Sequence, residues 1–417
     1  MTRKWSKFGE RFARPTGAAE LMEDLGIATA AENEVLLLGG GNPGKIPEMQ
    51  SLLRSRLADV AASDISTDQM FCNYPHPKGD VAFRKALAEL LKREYGWQLS
   101  ADNIALTAGS QTGFFLLFNM LAGEFSDGSV KRILLPATPE YAGYTDIGLM
   151  ENIFVSQRPE IEDHPDGFFK YHVNFDTLKI DEDIAALCIS RPTNPTGNVI
   201  TDEELQQLDE MARRADVPLI VDNAYGLPFP RIVFSKATPF WNDNVVLCMS
   251  LSKLGLPGVR TGIIVANEEF IEALSNMTAV QSLAVASAGA VFVQPWLESG
   301  EIIDISRRYI TPFYKHKSQV ACQILRRELD GIPFKIHVPE GAFFLWVWLP
   351  GLPISSHDLY RRLKARGVFV MSGHHFFPGL KGSWRHRDEC LRLSYSQDST
   401  VVEEGMKLIG EELRKLY

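Results

Sequence analysis

The chain has 417 residues, which is too long for one small core and is typical of two or three packed units. Hydrophobic residues make up 45% of the sequence and charged residues 23%, so we expect a folded protein rather than a disordered one. The chain contains 43 lysine and arginine residues and 52 aspartate and glutamate residues, which gives a net charge of −9, and the two signs are interspersed along the sequence. This balance argues against a nucleic-acid-binding protein, which needs a basic face.

Several features of the sequence concern the compartment. The five cysteines lie far apart and form no Cys-x-x-Cys pair, which is typical of reduced thiols, and we expect a cytoplasmic protein. The first residues carry positive charges with no apolar run behind them, so no signal peptide is expected. Residues 273–297 lack charged side chains and are long enough to span a bilayer. Their amides, hydroxyls and proline favour a buried helix or an interface segment instead, and no membrane contact is expected.

Short apolar runs alternate with helical patterns along the chain. Buried strands are predicted at 35–38, 133–135, 185–189, 218–221, 245–249 and 262–266. Amphipathic helices are predicted at 80–95, at 112–121 and, after the capping box Thr201-x-x-Glu204, near 202–214. This alternation predicts an α/β fold, a mostly parallel sheet flanked by helices.

The pattern changes after about residue 300. Strands are predicted at 343–349 and 391–394 among helices, and Thr400-x-x-Glu403 is a capping-box pattern for the C-terminal helix. We therefore expect a large domain over 46–300 and a smaller α+β domain over 301–417. The N-terminal segment 1–45 is too short to fold alone and is expected to join the smaller domain.

Two familiar kinds of binding motif fit this sequence poorly. Residues 39–44 satisfy a glycine-rich nucleotide pattern, but Pro43 suits the required helix start poorly, and Ile46 replaces the hydroxyl of a phosphate loop. A tight turn that a small anion can approach remains an alternative. The nine histidines show no metal-ligand spacing. The adjacent His374 and His375 are expected to diverge, one packed and one solvated.

The most informative segment is 250–260, which follows the predicted strand 245–249. It places Lys253 at the carboxyl end of a strand, where α/β sheets carry their sites. The two serines before Lys253 and Arg260 after it can meet around one phosphate, because the intervening Pro-Gly pair allows a tight turn. A lysine amine beside cations and polar donors is suited to condense with an aldehyde.

Other polar turns offer partners for this lysine. Asp222 ends the predicted strand 218–221, where a carboxylate is a helix cap, a metal ligand or the partner of a protonated pyridine nitrogen. Asn194 lies in a turn that two prolines and a glycine make rigid. Gly109 precedes an apolar helix whose free N–H groups suit a phosphate. Tyr141 is either an ordinary core tyrosine or a ring that lies on a planar cofactor.

Three segments occur in the order that one enzyme family shows: Asn194-Pro195-x-Gly197, Asp222-x-x-Tyr225 and Ser250-x-Ser252-Lys253-x6-Arg260. With them the chain resembles the pyridoxal-phosphate-dependent aminotransferases of fold type I, class I/II, from about residue 39 to residue 392. Several segments also resemble the valine–pyruvate subgroup. The resemblance implies pyridoxal 5′-phosphate and a ping-pong exchange between L-valine/2-oxoisovalerate and L-alanine/pyruvate. It also implies a role in amino-acid biosynthesis and a homodimer with shared active sites.

The family's residue roles fall on matching positions of this chain. Lys253 resembles the Schiff-base lysine that also moves a proton, Asp222 the pyridine-nitrogen partner, and Tyr225 a hydrogen-bond partner of the ring oxygen. Asn194 shares that ring contact and borders the substrate. The resemblance implies a phosphate site formed by Gly109, Ser110, Gln111, Ser250, Ser252 and Arg260. It further implies that Tyr141 stacks on the ring, that Tyr74 reaches the neighbouring subunit's phosphate, and that Arg392 and Gly41 bind the substrate carboxylate.

Departures from the family pattern fall where substrate choice is decided. Residues 283–291 contain less glycine and proline than the subgroup, and His374-His375-Phe376 replaces smaller residues. The alternative function is therefore another aminotransferase or lyase reaction of this fold on an aliphatic or aromatic amino acid. An effector-sensing transcription regulator would need a basic DNA-binding module, and a non-catalytic scaffold would not need the lysine–aspartate–arginine set.

Overall fold

The computed structural model describes residues 4–14, 23, 26 and 35–417. The strands are β1 (Leu36–Leu37), β2 (Ile104–Thr107), β3 (Gly123–Glu124), β4 (Val130–Leu135), β5 (Phe154–Ser156), β6 (Glu160–His164), β7 (Phe168–His172), β8 (Ile184–Ser190), β9 (Leu219–Asp222), β10 (Val245–Ser250), β11 (Gly262–Val265), β12 (Lys335–His337), β13 (Phe344–Trp348), β14 (Val368–Phe369), β15 (Met371–Ser372) and β16 (Cys390–Ser394). The helices are α1 (Lys7–Phe12), α2 (Pro47–Ala61), α3 (Asp64–Phe71), α4 (Val81–Tyr95), α5 (Ser110–Leu121), α6 (Asp202–Arg214), α7 (Glu268–Ser282), α8 (Ala288–Ser299), α9 (Glu301–Ile305), α10 (Thr311–Glu328), α11 (Ser356–Ala365), α12 (Arg385–Asp388) and α13 (Ser399–Leu413). A π-helical turn, Ser306–Ile310, joins α9 to α10.

An eight-stranded sheet forms the centre of the larger part of the molecule. Strands β2, β11, β10, β9, β8 and β4 lie side by side, and β5 and β3 both pair with β4. The run from β10 to β5 is parallel, whereas β11 is antiparallel to both of its neighbours. This arrangement confirms the predicted α/β fold with a mostly parallel sheet.

Helices cover both faces of this sheet, and the side chains of its strands alternate between two hydrophobic clusters. Val221 packs in one cluster with Leu87 of α4, and the adjacent Ile220 packs in the other with Phe114 of α5. Because both faces are buried, the central strands are apolar throughout rather than alternating with polar residues. This explains why their sequence pattern is a continuous apolar run.

A second sheet of six strands has the order β15, β16, β13, β12, β7, β6. Its strands are antiparallel except at the pair of β7 and β12, where Phe168 lies opposite Ile336. Strands β6 and β7 lie within the 46–300 segment, yet they extend the sheet formed by 335–394. The domain boundaries given above therefore stay a prediction. In addition, β1 pairs in parallel with β14, which connects residues 36–37 to 368–369.

The predicted elements agree with the structure at most positions. The strands expected at 245–249 and 391–394 are β10 and β16, and the helix expected at 80–95 is α4. At α6 the capping box is present: Glu204 N donates to Thr201 Oγ1 at 3.1 Å, and Thr201 N donates to Glu204 Oε2 at 2.8 Å. The capping box predicted at Thr400 was wrong, because α13 begins at Ser399 after the N-cap residue Asp398, so Thr400 lies within its first turn.

The uncharged segment 273–297 divides between α7 and α8, with Leu274 and Val293 buried in the core. Of the two expected alternatives, a buried helix describes α8 and one face of α7, whereas Val280 of α7 is 90% exposed. Among the residues that the structure describes, no helix combines the length and apolar character needed to cross a membrane. All five cysteines are free thiols, and only Cys72 is exposed.

Candidate active site

The site begins at the carboxyl ends of three adjacent parallel strands. Asp222 is the last residue of β9, and its register partners are Ser190 of β8 and Cys248 of β10. Asn194 follows the end of β8, and Lys253 lies in a short 3-10 turn after β10. Because all three strands end at the same edge of the sheet, their loops meet there.

Asp222 is a buried carboxylate with defined partners. Its Oδ2 accepts a hydrogen bond from the Tyr144 hydroxyl at 2.7 Å, and its Oδ1 accepts one from Ala224 N at 3.0 Å. Burial raises the pKa of Asp222, and these two hydrogen bonds oppose that rise. Tyr144 is fully buried with its ring edge-on to Phe114 and Phe118, so its hydroxyl is fixed as a donor.

The side chain of Lys253 follows β10, the strand that pairs with β9, which ends in Asp222. Its Nζ donates to the carbonyl oxygen of Gly41 at 2.8 Å and lies 5.3 Å and 5.5 Å from the ring centroids of Tyr225 and Phe343. Burial, followed by the positive charge of Arg392, lowers the pKa of Lys253 to about 8. About a tenth of the amine is then uncharged at pH 7, far more than for a solvated lysine.

We expect the nucleophilic reactivity of Lys253 in the ligand-free protein to rise with pH through a midpoint of about 8. Only the uncharged amine is nucleophilic, and its pKa is lowered from the ordinary value of 10.5. An uncharged amine-reactive reagent can be added across a pH series, and mass spectrometry then gives the rate at which it labels the peptide that contains Lys253. The pH dependence of that rate measures the midpoint. Arg392→Gln should move the midpoint upward, and a wild-type midpoint near 10.5 would contradict the prediction.

A cradle for an anion lies beside these residues, where β2 leads into α5. Gly109 has φ +84° and directly precedes Ser110, the first residue of α5. A Cβ built at Gly109 would lie 2.3 Å from Nη2 of Arg260, so the guanidinium fits against this position only because it is glycine. Unpaired N–H groups at the helix start and an adjacent guanidinium together suit a phosphate. On the neighbouring loop, Ser252 N donates to Ser250 Oγ at 3.1 Å.

Arg392 brings a buried cation from the second sheet into the same site. It lies on β16 and is 2% exposed. Its Nη1 donates to Asn194 Oδ1 at 2.7 Å, and its Nη2 donates to the carbonyl oxygen of Gly39. Its Nε is buried and has no hydrogen-bond partner within the described part of the chain. The guanidinium carbon lies 4.2 Å from the ring centroid of Phe344 and 5.3 Å from that of Phe376. Burial lowers the pKa of Arg392 to about 10, so it stays charged at neutral pH.

The remaining predicted residues differ in how deeply they are buried. Tyr225 is buried with its ring edge-on to Phe343, and Tyr141 meets the ring of Tyr144 edge-on at 5.4 Å between centroids. Gln111 Nε2 donates to the carbonyl oxygen of Gly143 at 2.9 Å, and no described residue forms a hydrogen bond with its buried Oε1. Tyr74 differs: it follows α3 and is 85% exposed, in contrast to the buried Tyr225.

Two residues of the site were not selected from the sequence. Tyr144 donates to Asp222, and Glu140 accepts hydrogen bonds from the backbone N–H and hydroxyl of Ser190. Burial raises the pKa of Glu140 to about 8, so it is mostly protonated at neutral pH. Both residues lie in segment 139–144, in which only Tyr141 was predicted to belong to the site. A carboxyl group and a second tyrosine close to Tyr141 in the sequence could have indicated them.

Comparisons with known proteins agree with this geometry. The sequence matches the family aminotransferase class I and II over residues 42–409. The chain belongs to this family. This aminotransferase is 49% identical over 415 residues to valine–pyruvate aminotransferase of Escherichia coli (strain K12), which covers 99% of each chain. The family resemblance stated from the motifs is thereby confirmed.

Two solved structures resemble this aminotransferase over nearly their whole length. The crystal structure of valine–pyruvate aminotransferase from Salmonella typhimurium LT2 has a TM-score of 0.89 and 47% identity, covering 96% of this chain and 99% of that chain. A candidate amino-acid aminotransferase from Psychrobacter arcticum 273-4 has a TM-score of 0.97 and 45% identity, covering 100% and 99%. The fold is that of the pyridoxal-phosphate enzymes of fold type I, as the sequence predicted.

Class I and II aminotransferases use pyridoxal phosphate, and the residues of this site fit that cofactor. The glycine and helix start beside Arg260 match a phosphate, and the buried carboxylate of Asp222 matches a protonated ring nitrogen. Lys253 offers an amine with a lowered pKa. The unpartnered Nε of Arg392 and Oε1 of Gln111 are buried polar atoms for which a bound molecule would supply hydrogen bonds.

Proposed function

We propose that this aminotransferase transfers the amino group between L-valine and pyruvate, with 2-oxoisovalerate and L-alanine as products, by a ping-pong mechanism. The observation that carries the proposal is the apolar wall of the cavity of about 170 Å³ next to Lys253. Its buried side chains are Ile46, Met49, Leu254, Ile310 and Tyr314, and the hydroxyl of Tyr314 accepts a hydrogen bond from Gly44 N at 2.8 Å. Such a wall suits an uncharged aliphatic side chain. The valine–pyruvate aminotransferase of Escherichia coli, 49% identical, supports the same substrate pair.

The charges that line the cavity agree with an aliphatic substrate. Among the described residues that line it, the charged ones are Lys253 and Lys45, and Lys45 is exposed. The substrate's α-carboxylate is matched by Arg392, whose two terminal nitrogens are held by Asn194 and Gly39 and can form parallel hydrogen bonds to a carboxylate. One methylene is worth about 1–3 kcal/mol in such a pocket, so related aliphatic amino acids should react more slowly rather than be excluded.

The site residues divide the work of the reaction. Pyridoxal phosphate, when bound, supplies an aldehyde for the substrate amine and a ring that withdraws electrons from the α-carbon. Lys253 would hold this aldehyde through Nζ and then move a proton to and from the α-carbon with the same atom. Asp222, fixed by Tyr144, would keep a proton on the ring nitrogen. Tyr225 and Asn194 would contact the ring oxygen, and Tyr141 would lie on the ring.

The phosphate of the cofactor would be bound by residues of three loops and of a second subunit. Within one chain these residues are Gly109, Ser110, Gln111, Ser250, Ser252 and Arg260. The exposed Tyr74 would complete the site of a neighbouring subunit, which makes the functional unit a homodimer. Gly41, whose carbonyl already accepts from Lys253, would border the substrate carboxylate. We further propose a cytoplasmic enzyme of amino-acid biosynthesis, in keeping with its five free thiols.

L-valine alone should convert the cofactor completely, because a ping-pong reaction completes its first half without the second substrate. The expected result is loss of the visible absorption band of the bound cofactor, appearance of the near-ultraviolet band of its amino form, and release of one 2-oxoisovalerate per site. Adding pyruvate should restore the visible band and release one L-alanine. Stopped-flow absorbance and chromatography of the products measure both halves.

L-aspartate is the control substrate, because its side-chain charge has no buried partner in the apolar wall, and it should convert the cofactor far more slowly than L-valine. Faster conversion by an acidic or aromatic amino acid would replace the proposed substrate pair while keeping the enzyme class. Product without consumption of a keto acid would favour the alternative, a lyase reaction on the same fold.

A further inference from the structure

Three histidines that are scattered along the sequence meet at one point of the structure. His357 lies in the first turn of α11, and His374 and His375 lie in a 3-10 turn, Gly373–Phe376, that follows β15. Each imidazole offers a ring nitrogen, and these three nitrogens lie within 4.8 Å of one another. The sequence spacing predicted no metal-ligand group, because the ligands come from two elements that only the tertiary fold brings together.

The expected divergence of His374 and His375 was wrong. Their ring centroids are 3.9 Å apart with an angle of 37° between the planes, and both residues are half-buried. The chain is not a regular strand or α-helix here, and the 3-10 turn places both rings on the same side. The ring of His357 approaches that of His374 edge-on, with 5.1 Å between the centroids.

The surroundings of the cluster resemble those of a ligand set rather than of three packed rings. The Nδ1 atom of His374 is paired with the hydroxyl of Ser372, which fixes the ring and leaves Nε2 for another partner. Ligand histidines in proteins are held in this way through the nitrogen that does not bind the metal. Ser356 Oγ extends this contact by donating to Ser372 Oγ at 3.5 Å. In His357, the Nδ1 atom is buried and has no hydrogen-bond partner among the residues that the structure describes.

We propose that His357, His374 and His375 bind one divalent transition-metal ion of the Zn²⁺ class. Three imidazoles suit Zn²⁺, Co²⁺, Ni²⁺ and Cu²⁺, whereas Mg²⁺ and Ca²⁺ require oxygen ligands that this cluster lacks. Nitrogens at tetrahedral Zn²⁺ are about 3.3 Å apart, so side-chain rotations that close the set by at most about 1.5 Å complete the geometry. Water would take the fourth position.

The position of the three-histidine cluster indicates which part of the structure a bound metal would stabilise. A bound ion would connect α11 to the turn that leads to Phe376, and the ring of Phe376 lies 5.3 Å from the guanidinium carbon of Arg392. The backbone oxygen of Phe376 also accepts from Glu140 N at 2.8 Å. The metal would therefore fix the position of Phe376, which packs against the substrate-binding Arg392, without contacting the reacting atoms. This inference concerns a separate site and does not depend on the proposed substrate pair.

The test is a metal titration of the chelator-treated holoenzyme. Zn²⁺ binding is measured by calorimetry and by metal content after gel filtration, and Co²⁺ is added separately because three imidazoles give it a visible absorption spectrum. We expect one ion per chain for the wild type. In His357→Ala and His375→Ala the affinity should fall roughly 100-fold, since loss of a ligand costs at least as much as loss of its supporting hydrogen bond. These positions are chosen because neither touches Arg392 or Lys253.

His316→Ala is the matched control, because His316 is an exposed histidine on α10 outside the cluster. It should bind Zn²⁺ as the wild type does. Equal Zn²⁺ affinity in wild type and His357→Ala, or binding that is lost only when the exposed Cys72 is replaced by serine, would overturn the proposal. Circular dichroism and the cofactor spectrum of each variant show that it is folded, so that a loss of binding reports on the ligands alone.

Discussion

Replacing Lys253 with alanine is expected to reduce valine–pyruvate transamination by at least about 10⁴-fold, because one side chain is then missing from both the covalent step and the proton transfer. The Nζ atom is held by the carbonyl of Gly41 in front of the Asp222 strand, and within the described residues no other lysine amine lines the buried part of this cavity. The variant should also lose the visible band that the lysine-bound cofactor gives. Steady-state rates and absorption spectra of the purified variant measure both effects.

Lys92→Ala is the control for a lost lysine, since Lys92 is exposed on α4 far from the cavity lining, and it should retain wild-type activity. A small primary amine added to Lys253→Ala should restore part of the proton transfer, because the cavity left by the side chain admits it. Restoration would distinguish a missing amine from a misfolded site. Turnover of Lys253→Ala at the wild-type rate would remove this lysine from the mechanism.

The sequence was most informative for strands that are buried on both faces and for contacts between residues that are close in the sequence. Strands such as β9 and β10 are apolar throughout because helices cover both faces of the sheet, and this leaves a pattern that can be recognised without any knowledge of the partners. The start of α6 was predictable for a similar reason, since both partners of its capping box lie within four residues. The chain order of these elements then indicated the α/β class.

Pairings between distant segments could not be predicted in this way. Strand β6 has the burial pattern of an edge strand, with no fully buried residue, and nothing in its composition shows that β7 beside it pairs with β12 more than 150 residues later. The capping-box pattern at Thr400 failed because the helix begins two residues earlier than that pattern requires, with Asp398 as its N-cap residue. Helix ends are decided by the contacts of the whole segment, which a four-residue pattern does not contain.

The candidate site shows the same division between local and distant information. Asp222, Asn194 and Lys253 were selected because each follows a strand, and the parallel sheet brings such positions to one edge. The Tyr144 hydroxyl reaches Asp222 across 78 residues of sequence, and the pairing of Arg392 with Asn194 spans 198. Such contacts leave no periodic signal. The three-histidine cluster was missed for this reason, since the sequence shows only an adjacent pair.

Asp222→Asn is expected to lower the transamination rate by roughly 10³-fold while leaving the fold intact. Asparagine is nearly isosteric, and its amide oxygen can still accept from the Tyr144 hydroxyl. It carries no negative charge, however, and cannot keep a proton on the ring nitrogen of the cofactor. The ring then withdraws electrons less strongly, and the proton transfer at the α-carbon becomes slower. Single-turnover rates with α-deuterated L-valine should show an increased isotope effect, because that transfer becomes rate-limiting.

Glu140→Gln provides the matched control, because the site holds two buried carboxyl groups that differ in their expected charge. Glu140 has a pKa raised to about 8 and is already mostly uncharged at neutral pH, so a neutral amide that keeps the hydrogen bonds to Ser190 should change the rate less than about 10-fold. Asp222 accepts hydrogen bonds from Tyr144 and Ala224 N, which oppose the rise that burial causes in its pKa, and only its replacement removes a carboxylate whose charge the proposed reaction uses. Equal losses in the two variants would show that packing, rather than the charge of Asp222, sets the rate.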